Sequence, residues 1–517
     1  MTSPYLPDDC IYYILKYLQI HRSTLFNCLL VNRFWCKATV PLLYANPYDS
    51  KTNKNIISTL ISCFNKVEIL QLKSQLNFIN INNININNEY KPLFEYLKYL
   101  ETFNYDKINF VIIKWFESHL NLSYIQRNNI FENIIPIFHQ SILHQSINIK
   151  QLNISLYLFY NKNYKNYNVQ TFTSNLTKLN SLTLLLQDIN LTNNEIVQEI
   201  LNNITNICLN LKKLEITSTF RHDTSINNNT KEKLYTIIQN QNNLKVFKIS
   251  HCEYLLNNIL LSLEFQKYSL VYIEFKFINF CNISFKNFIN LCNLKYLKFV
   301  NCKGMISSDQ YEILNHASFD LRELIFIRNT WCDNCTPLLI KYLGASLKEL
   351  ILVENLKVPI IENISIYCLN LITLEIEIDY YVELLVFPYF KNLKIRVLDI
   401  IIYSYHDMDE LIANNLPISI KEISIRFHNF HSLYFKKFLE NCHNCLEIIN
   451  LNHFIELEFL KIILNYIERS NNSLKFLGIT NLEKVLNDEE SNLLDQIKAK
   501  GVKIVNFYNS YKYDFII

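Results

Sequence analysis

Two short segments concentrate the residues able to do chemistry. Cys332-Asp333-Asn334-Cys335 has the spacing of a metal-binding or redox pair, and His406-Asp407-Met408-Asp409-Glu410 gathers one imidazole and three carboxylates. A structural zinc ion takes four ligands, and no second Cys or His pair stands at a matching distance; Cys442, His443 and Cys445 lie far along the chain. A thioredoxin-like role needs a strand-helix-strand context that the sequence does not present there, so the pair reads as ordinary structural cysteines. In the second segment Asp407 and Glu410 have the spacing of a helix N-cap and its return partner ahead of Leu411 and Ile412, and capping is expected. No G-x-S-x-G, H-E-x-x-H or kinase-like set occurs. The glycines, at 304, 344, 478 and 501, are too far apart to build a phosphate-cradling loop. Neither an enzyme nor a cofactor-dependent protein is expected.

The elements that hold these residues are set by a chain of 517 residues with 50 Lys and Arg against 47 Asp and Glu. A net charge of +3 gives no field for a polyanion, so nucleic acid is not an expected partner. Asp8 and Asp9 interrupt the place where a signal-peptide core would lie, and no apolar run approaches the roughly 18 residues of a membrane span. The expected setting is the cytoplasm, the nucleus or both, without membrane association. Fourteen cysteines, many inside apolar patterns, fit small buried hydrophobes better than a disulfide framework.

One pattern recurs: an apolar residue, another three positions on, and a third two positions further. Its copies include Ile149/Leu152/Ile154, Leu179/Leu182/Leu184, Leu211/Leu214/Ile216, Leu244/Phe247/Ile249, Leu270/Ile273/Phe275 and Leu294/Leu297/Phe299. They continue through Leu321/Leu324/Phe326, Leu347/Leu350/Leu352, Leu371/Leu374/Ile376, Ile395/Leu398/Ile400, Ile420/Ile423/Ile425, Leu446/Ile449/Leu451 and Leu474/Leu477/Ile479. From Leu211 onward the copies are 24 to 33 residues apart. The last two apolar positions of each copy face one side of a short strand, and the sequence between copies has helical periodicity, as in Ile196, Ile200, Leu201, Ile204 and Ile207 behind Thr192-Asn193-Asn194-Glu195. Val67/Leu70/Leu72 is a plausible further copy, while 73–148 fits poorly. The Asn-rich stretches 77–88, 160–170 and 222–233 read as insertions.

This strand-plus-helix unit resembles the leucine-rich repeat, and the resemblance covers roughly residues 140–517. The turn position eight residues after the first apolar residue holds Cys252, Cys302, Asn329 and Asn355; the resemblance implies that these cap the turn from inside. Cys208, Cys292 and Cys368 stand just before the strand motif, as in the cysteine-containing subclass. The fold class expected is α/β: a right-handed strand-helix horseshoe. The strand residues pointing away from its core would line a concave face. There Val300, Ile325, Ile327, Ile351 and Val353 would align into an exposed apolar patch, edged by Tyr272 and Tyr296 and followed by Glu375, Glu377 and Asp399, a surface suited to a protein target.

Ahead of the repeats, Ile11, Ile14, Leu15 and Leu18 fall at helical spacing, and Leu25, Leu29 and Leu30 precede Val31 and Trp35. The ordered series Leu6-Pro7, Asp8, Asp9, Ile14, Tyr17-Leu18, Leu25, Cys28, Val31-Asn32-Arg33, Trp35, Ala38, Pro41 and Tyr44 resembles the F-box in its fungal form. It departs from that pattern in a long stretch between Leu18 and Val31 and in Tyr44, where Trp is common. The resemblance implies a trihelical module over 1–48 that grips a Skp-family adaptor on a cullin-RING ubiquitin ligase. Leu6, Pro7, Ile11, Ile14, Leu15, Val31 and Trp35 match the positions that face the adaptor or hold the helices together. Residues 49–140 would be divergent repeats or a connection, and 141–517 the solenoid. Together these features imply the substrate-recognition subunit of an SCF-type ubiquitin ligase. A repeat scaffold for protein interaction without a ligase role is the alternative.

Overall fold

The computed structural model describes residues 6–48, 55–78, 92–120, 122–160, 175–186, 195–218, 226–304, 306, 308–378, 382, 384–403, 408–427, 432–480 and 486–507. They fall into two units, Met1–Ser269 and Leu270–Ile517.

The first unit opens with three helices, α1 (Asp8–Tyr17), α2 (Arg22–Cys28) and α3 (Arg33–Ala45). Ile11, Leu15, Leu25, Cys28, Ala38 and Leu43 form their shared core, with Leu18, Phe34 and Trp35 packed against it. The Asn32 side chain accepts a 2.9 Å hydrogen bond from the Trp35 amide and so caps α3. Arg22 donates to the carbonyls of Leu43 (3.0 Å) and Asn46 (2.8 Å), tying α2 to the end of α3. A trihelical module thus forms as expected, and it is fastened to the neighbouring segment: Tyr48 is buried, Tyr44 lies 4.3 Å from Tyr96 between ring centres, and the Glu101 amide donates to the Ala45 carbonyl.

Helices α4 (Ile56–Ser62) and α5 (Lys66–Phe78) come next. The expected strand at Val67/Leu70/Leu72 is therefore wrong. In α5 only Leu72 of the three is buried, while Val67 and Leu70 face solvent, because the three residues do not share a helical face. The sheet begins earlier than residue 141, with β1 (Thr102–Asn104), followed by β2 (Gln151–Ser155), β3 (Ser181–Leu186), β4 (Lys213–Ser218) and β5 (Val246–Ser250), neighbouring strands pairing in parallel. Leu152, Leu182, Leu214 and Phe247 are register partners from strand to strand, and so are Ile154, Leu184, Ile216 and Ile249. All eight are buried. Helices such as Glu195–Ile207 and Asn228–Gln239 lie between strands, so the expected insertion at 222–233 holds helix from Asn228 onward. Residues 187–194, with their expected capping box, lie outside the described residues, as does most of the Asn-rich 77–88 and 160–170.

The second unit continues the pattern with β6 (Tyr272–Lys276), β7 (Tyr296–Val300), β8 (Lys303–Gly304), β9 (Glu323–Ile327), β10 (Thr330–Trp331), β11 (Glu349–Val353), β12 (Thr373–Ile378) and β13 (Val397–Ile402). It ends with β14 (Glu422–Phe427), β15 (Ile448–Leu451), β16 (Phe476–Ile479) and β17 (Lys503–Asn506), the last a strand beyond the final copy of the motif. Within this unit all but β8 and β10 pair in parallel in chain order, and those two pair with each other. Phe275, Phe299 and Phe326 stack in its interior at 5.5 and 5.6 Å, with Trp331 edge-on to Phe299 and Phe326. Each unit is a leucine-rich-repeat-type α/β solenoid. Among the described residues no helix is long and apolar enough to cross a membrane.

Two recurrent devices pin the repeats. The residues following β5, β6, β7 and β9 (His251, Phe277, Asn301 and Arg328) have φ between 48° and 55°. This left-handed backbone costs an L residue roughly 1 kcal/mol or more. In three of the four the strained residue's amide donates to the last strand carbonyl of the next repeat, Phe277 to Val300, Asn301 to Ile327 and Arg328 to Val353, at 2.7–2.8 Å. Behind the strands, buried amide side chains satisfy the irregular backbone. Gln241 accepts from the Leu211 amide (2.9 Å) and donates to the Cys208 (2.7 Å) and Ile237 (2.8 Å) carbonyls. Replacing Gln241 by Leu strands a buried N–H and C=O, and we expect about 2–4 kcal/mol of lost stability in urea unfolding. The exposed Asn242→Ala, which removes only a surface contact to Asn210, should change stability by less than about 0.5 kcal/mol. Equal effects would show that the buried amide does not pin the repeat.

Candidate protein-docking surfaces

The helical module divides its expected adaptor residues into two groups. Ile11 and Leu15 lie in the core and Trp35 is half-buried against it, so these three hold the helices together. Leu6, Pro7, Ile14 and Val31 are exposed. So are apolar residues outside the expected adaptor-facing set, among them Tyr13 (76% exposed), Tyr17 (81%), Ile20 and Leu30 (86%). Tyr13 and Tyr17 are one helical turn apart on α1 with Ile14 beside them, while Leu30 and Val31 occupy the turn before α3. The missed signal was available: Tyr13 and Tyr17 alternate out of the Ile11/Leu15 core pattern yet are not polar. Single exposed apolar residues are commonplace, but this density on so small a unit marks a surface made to be covered.

In the second unit the register carries one row of side chains across the face of the sheet away from the core: Glu274, Lys298, Ile325, Ile351, Glu375, Asp399, Ser424, Asn450 and Gly478. Val300, Ile327 and Val353 form a second, shorter row beside Ile325 and Ile351. The alignment is the one expected, but the exposure is not. Ile325, Ile351 (1% exposed) and Val353 form a small buried cluster against which Ile327 packs, and Val300 and Tyr272 are also buried. Strands about 4.8 Å apart put in-register branched side chains in contact, so they shield one another. Tyr296, Ile327 and Glu377 keep partial access. The carboxylates on either side of the apolar residues are not free either: Glu375 pairs with Arg426 at 2.5 Å, and on the opposite side the Tyr272 hydroxyl donates to Glu274 at 2.8 Å. Arg426 and Glu422 belong to this face and were not foreseen, though continuing the register one strand beyond Asp399 finds them. At Gly478 a Cβ would lie 2.2 Å from Oδ1 of Asn450, so a larger residue there displaces the Asn450 side chain.

At the turns, Cys252 and Cys302 are buried as expected, and the Cys252 thiol lies 3.1 Å from the Ser250 carbonyl it can donate to. Asn329 accepts from the Cys302 amide (2.9 Å) and donates to the Phe299 carbonyl (3.4 Å) and to Oε2 of Glu354 (3.2 Å). Asn355 is instead exposed, so its expected capping role is wrong. The neighbouring Glu354 takes the inward place: its Oε1 accepts from the Thr336 hydroxyl at 2.5 Å, and that hydroxyl accepts from the Trp331 indole at 3.0 Å. Burial pushes the Glu354 carboxyl up to about 7, against the hydrogen bonds from Thr336 and Asn329 that favour its ionised form. Burial likewise pushes Asp399 up to about 6, with Ser424 and Arg426 opposing and Glu375 adding to the rise. His406 and Asp407 lie outside the described residues; a helix, Met408–Asn414, follows them. Among the described residues no cluster of three or more His, Cys, Asp or Glu is placed to hold a metal.

No protein-family model matches the chain, and no curated protein matches it. Among solved structures it is similar to the TLR13 chain in a crystal structure of a TLR13–ssRNA13 complex, at 15% identity and a TM-score of 0.35 over 71% of this chain. The match spans 48% of that chain. A likeness at that score carries neither fold nor function, and the repeat fold rests on the strand register itself.

Glu354 and Asp399 both have folded-state pKa values above those of a free carboxylate, so the folded state binds more protons than the unfolded state between about pH 4 and 7. Stability should therefore fall as pH rises through that window, by on the order of 3 kcal/mol for Glu354, and level off above it. Glu354→Gln should flatten the pH 5–7 part of the urea-midpoint profile. An unchanged profile would place the titration elsewhere.

Proposed function

We propose that the chain is the substrate-recognition subunit of an SCF-type ubiquitin ligase, its helical module docking a Skp-family adaptor that bridges to a cullin and its repeats holding a protein target. The observation that supports this most is the exposed apolar set Leu6, Tyr13, Ile14, Tyr17, Leu30 and Val31, on a module whose core is already complete without it. Such a subunit breaks no bond itself; it raises the effective concentration of a target lysine near the charged ubiquitin carrier. The repeat face would contact the target through Tyr296, Ile327 and Glu377, with Ile325, Ile351, Val353, Val300, Tyr272 and Glu375 holding the shape of that surface. An interaction scaffold without ligase function uses the same repeats, and differs in recovering no cullin.

Because Trp35, Ile11 and Leu15 belong to the core, the test uses surface positions. Ile14→Glu with Val31→Glu should weaken binding to purified Skp-family adaptor at least about 100-fold with an unchanged circular dichroism spectrum. Undiminished binding would refute adaptor docking at this surface. For the target face, Tyr296→Ala with Ile327→Glu should abolish recovery of proteins that depend on the repeats while adaptor capture persists; recovery equal to the parent would remove this face from the assignment.

A further inference from the structure

The cysteine pair is better placed than its sequence context suggested. Cys332 follows β10, and Cys335 opens the helix Cys335–Leu343, which leads to β11; β11 lies parallel to β9 in the sheet. The pair thus sits between the two-residue strand β10, which pairs with β8 and not with β11, and the start of a helix, so a thioredoxin-like strand-helix-strand unit is not formed. The two sulfurs are 3.0 Å apart, both cysteines are unbridged, and the turn is closed by a 2.9 Å hydrogen bond from the Cys335 amide to the Cys332 carbonyl. A second bond, from the Cys332 amide to the Gly304 carbonyl (3.2 Å), fixes the outer cysteine to β8. Access is unequal: Cys335 is fully buried and Cys332 is partly open. Lys357 Nζ, 2.7 Å from the carboxylate of Asp333, places a cation beside the turn.

We infer that Cys332 and Cys335 are a redox-active dithiol that closes to an intramolecular disulfide by exchange with a small-molecule disulfide such as oxidised glutathione. The Cys332 thiolate attacks one sulfur of glutathione disulfide, forming a mixed disulfide and expelling one glutathione thiolate. Cys335 then gives up its proton, and its sulfur attacks the Cys332 sulfur, expelling the second glutathione. Two protein thiols lose two electrons and two protons, and the glutathione disulfide gains both to become two thiols. Burial pushes the Cys335 thiol up to about 11, consistent with the inner cysteine serving as the resolving and not the attacking group. The closed form would fix the start of the helix beside Thr336, whose hydroxyl holds Glu354.

The test uses the full chain, reduced and then equilibrated in glutathione buffers of increasing oxidised fraction, acid-quenched, alkylated and digested. The tryptic peptide 329–341 carries both cysteines. In the oxidised buffers the major form of this peptide should lose two hydrogens and take no alkyl group, while the exposed Cys10 and Cys445 carry glutathione. In Cys335→Ser, Cys332 should accumulate a glutathione adduct at least tenfold above its level in the parent, since nothing resolves it. A parent peptide that keeps two alkylatable thiols throughout would overturn the inference and leave a structural thiol contact only; so would a Cys335→Ser chain without the adduct. The parent alone decides the first outcome, so a poorly folding variant does not obscure it.

Discussion

Parallel register is the constraint on which everything else in this molecule depends. Each strand is only two to six residues long and cannot bury a face alone. When Leu214 lies beside Phe247 and Leu182, or Leu350 beside Leu324 and Leu374, the apolar positions of successive repeats become one continuous interior. The same register that stacks the interior must stack the opposite face. It is why Ile325 and Ile351 meet, why Glu375 stands beside Asp399, and why the Asn450 side chain leans across Gly478.

Holding that register has a cost, visible at the strand exits. Four non-glycine residues take a left-handed backbone where the chain leaves the sheet. In three of them the amide, turned by that conformation, reaches the carbonyl ending the next strand. Buried amides such as Gln241 and Gln266 do the complementary work at the strand entrances, where helix ends leave backbone groups unsatisfied. Asn329 and Glu354 join consecutive turns in the same way, using a carboxyl that burial keeps largely protonated below neutral pH.

The repeat strands were legible because an apolar triplet at fixed spacing is a local signal, repeated many times. The first strand was missed although Leu100, Phe103 and Tyr105 have the triplet spacing and are all buried, because the third position holds Tyr where the other copies have an aliphatic residue or Phe. Val67, Leu70 and Leu72 matched the spacing by coincidence, and only tertiary packing decides that this stretch is helix. On the helical module, sequence order identified the core well but could not separate Ile11 and Leu15, which are inside, from Ile14, which is not. Those assignments depend on how α3 lies across α1. The apolar row on the sheet was read in correct register and with the wrong exposure, because burial there comes from neighbours on other strands. The cysteine spacing was legible, but the 3.0 Å approach of the two sulfurs and their unequal access are set by the turn between β10 and the following helix.

The central claim is that the module's exposed apolar residues are a docking surface for a Skp-family adaptor. Hydrogen–deuterium exchange of the full chain, with and without purified adaptor, tests it most directly. Protection on mixing should be confined to α1 and the Leu29–Val31 turn, with the strands from β6 to β13 unchanged. No protection in α1, or protection confined to the repeats, would contradict it.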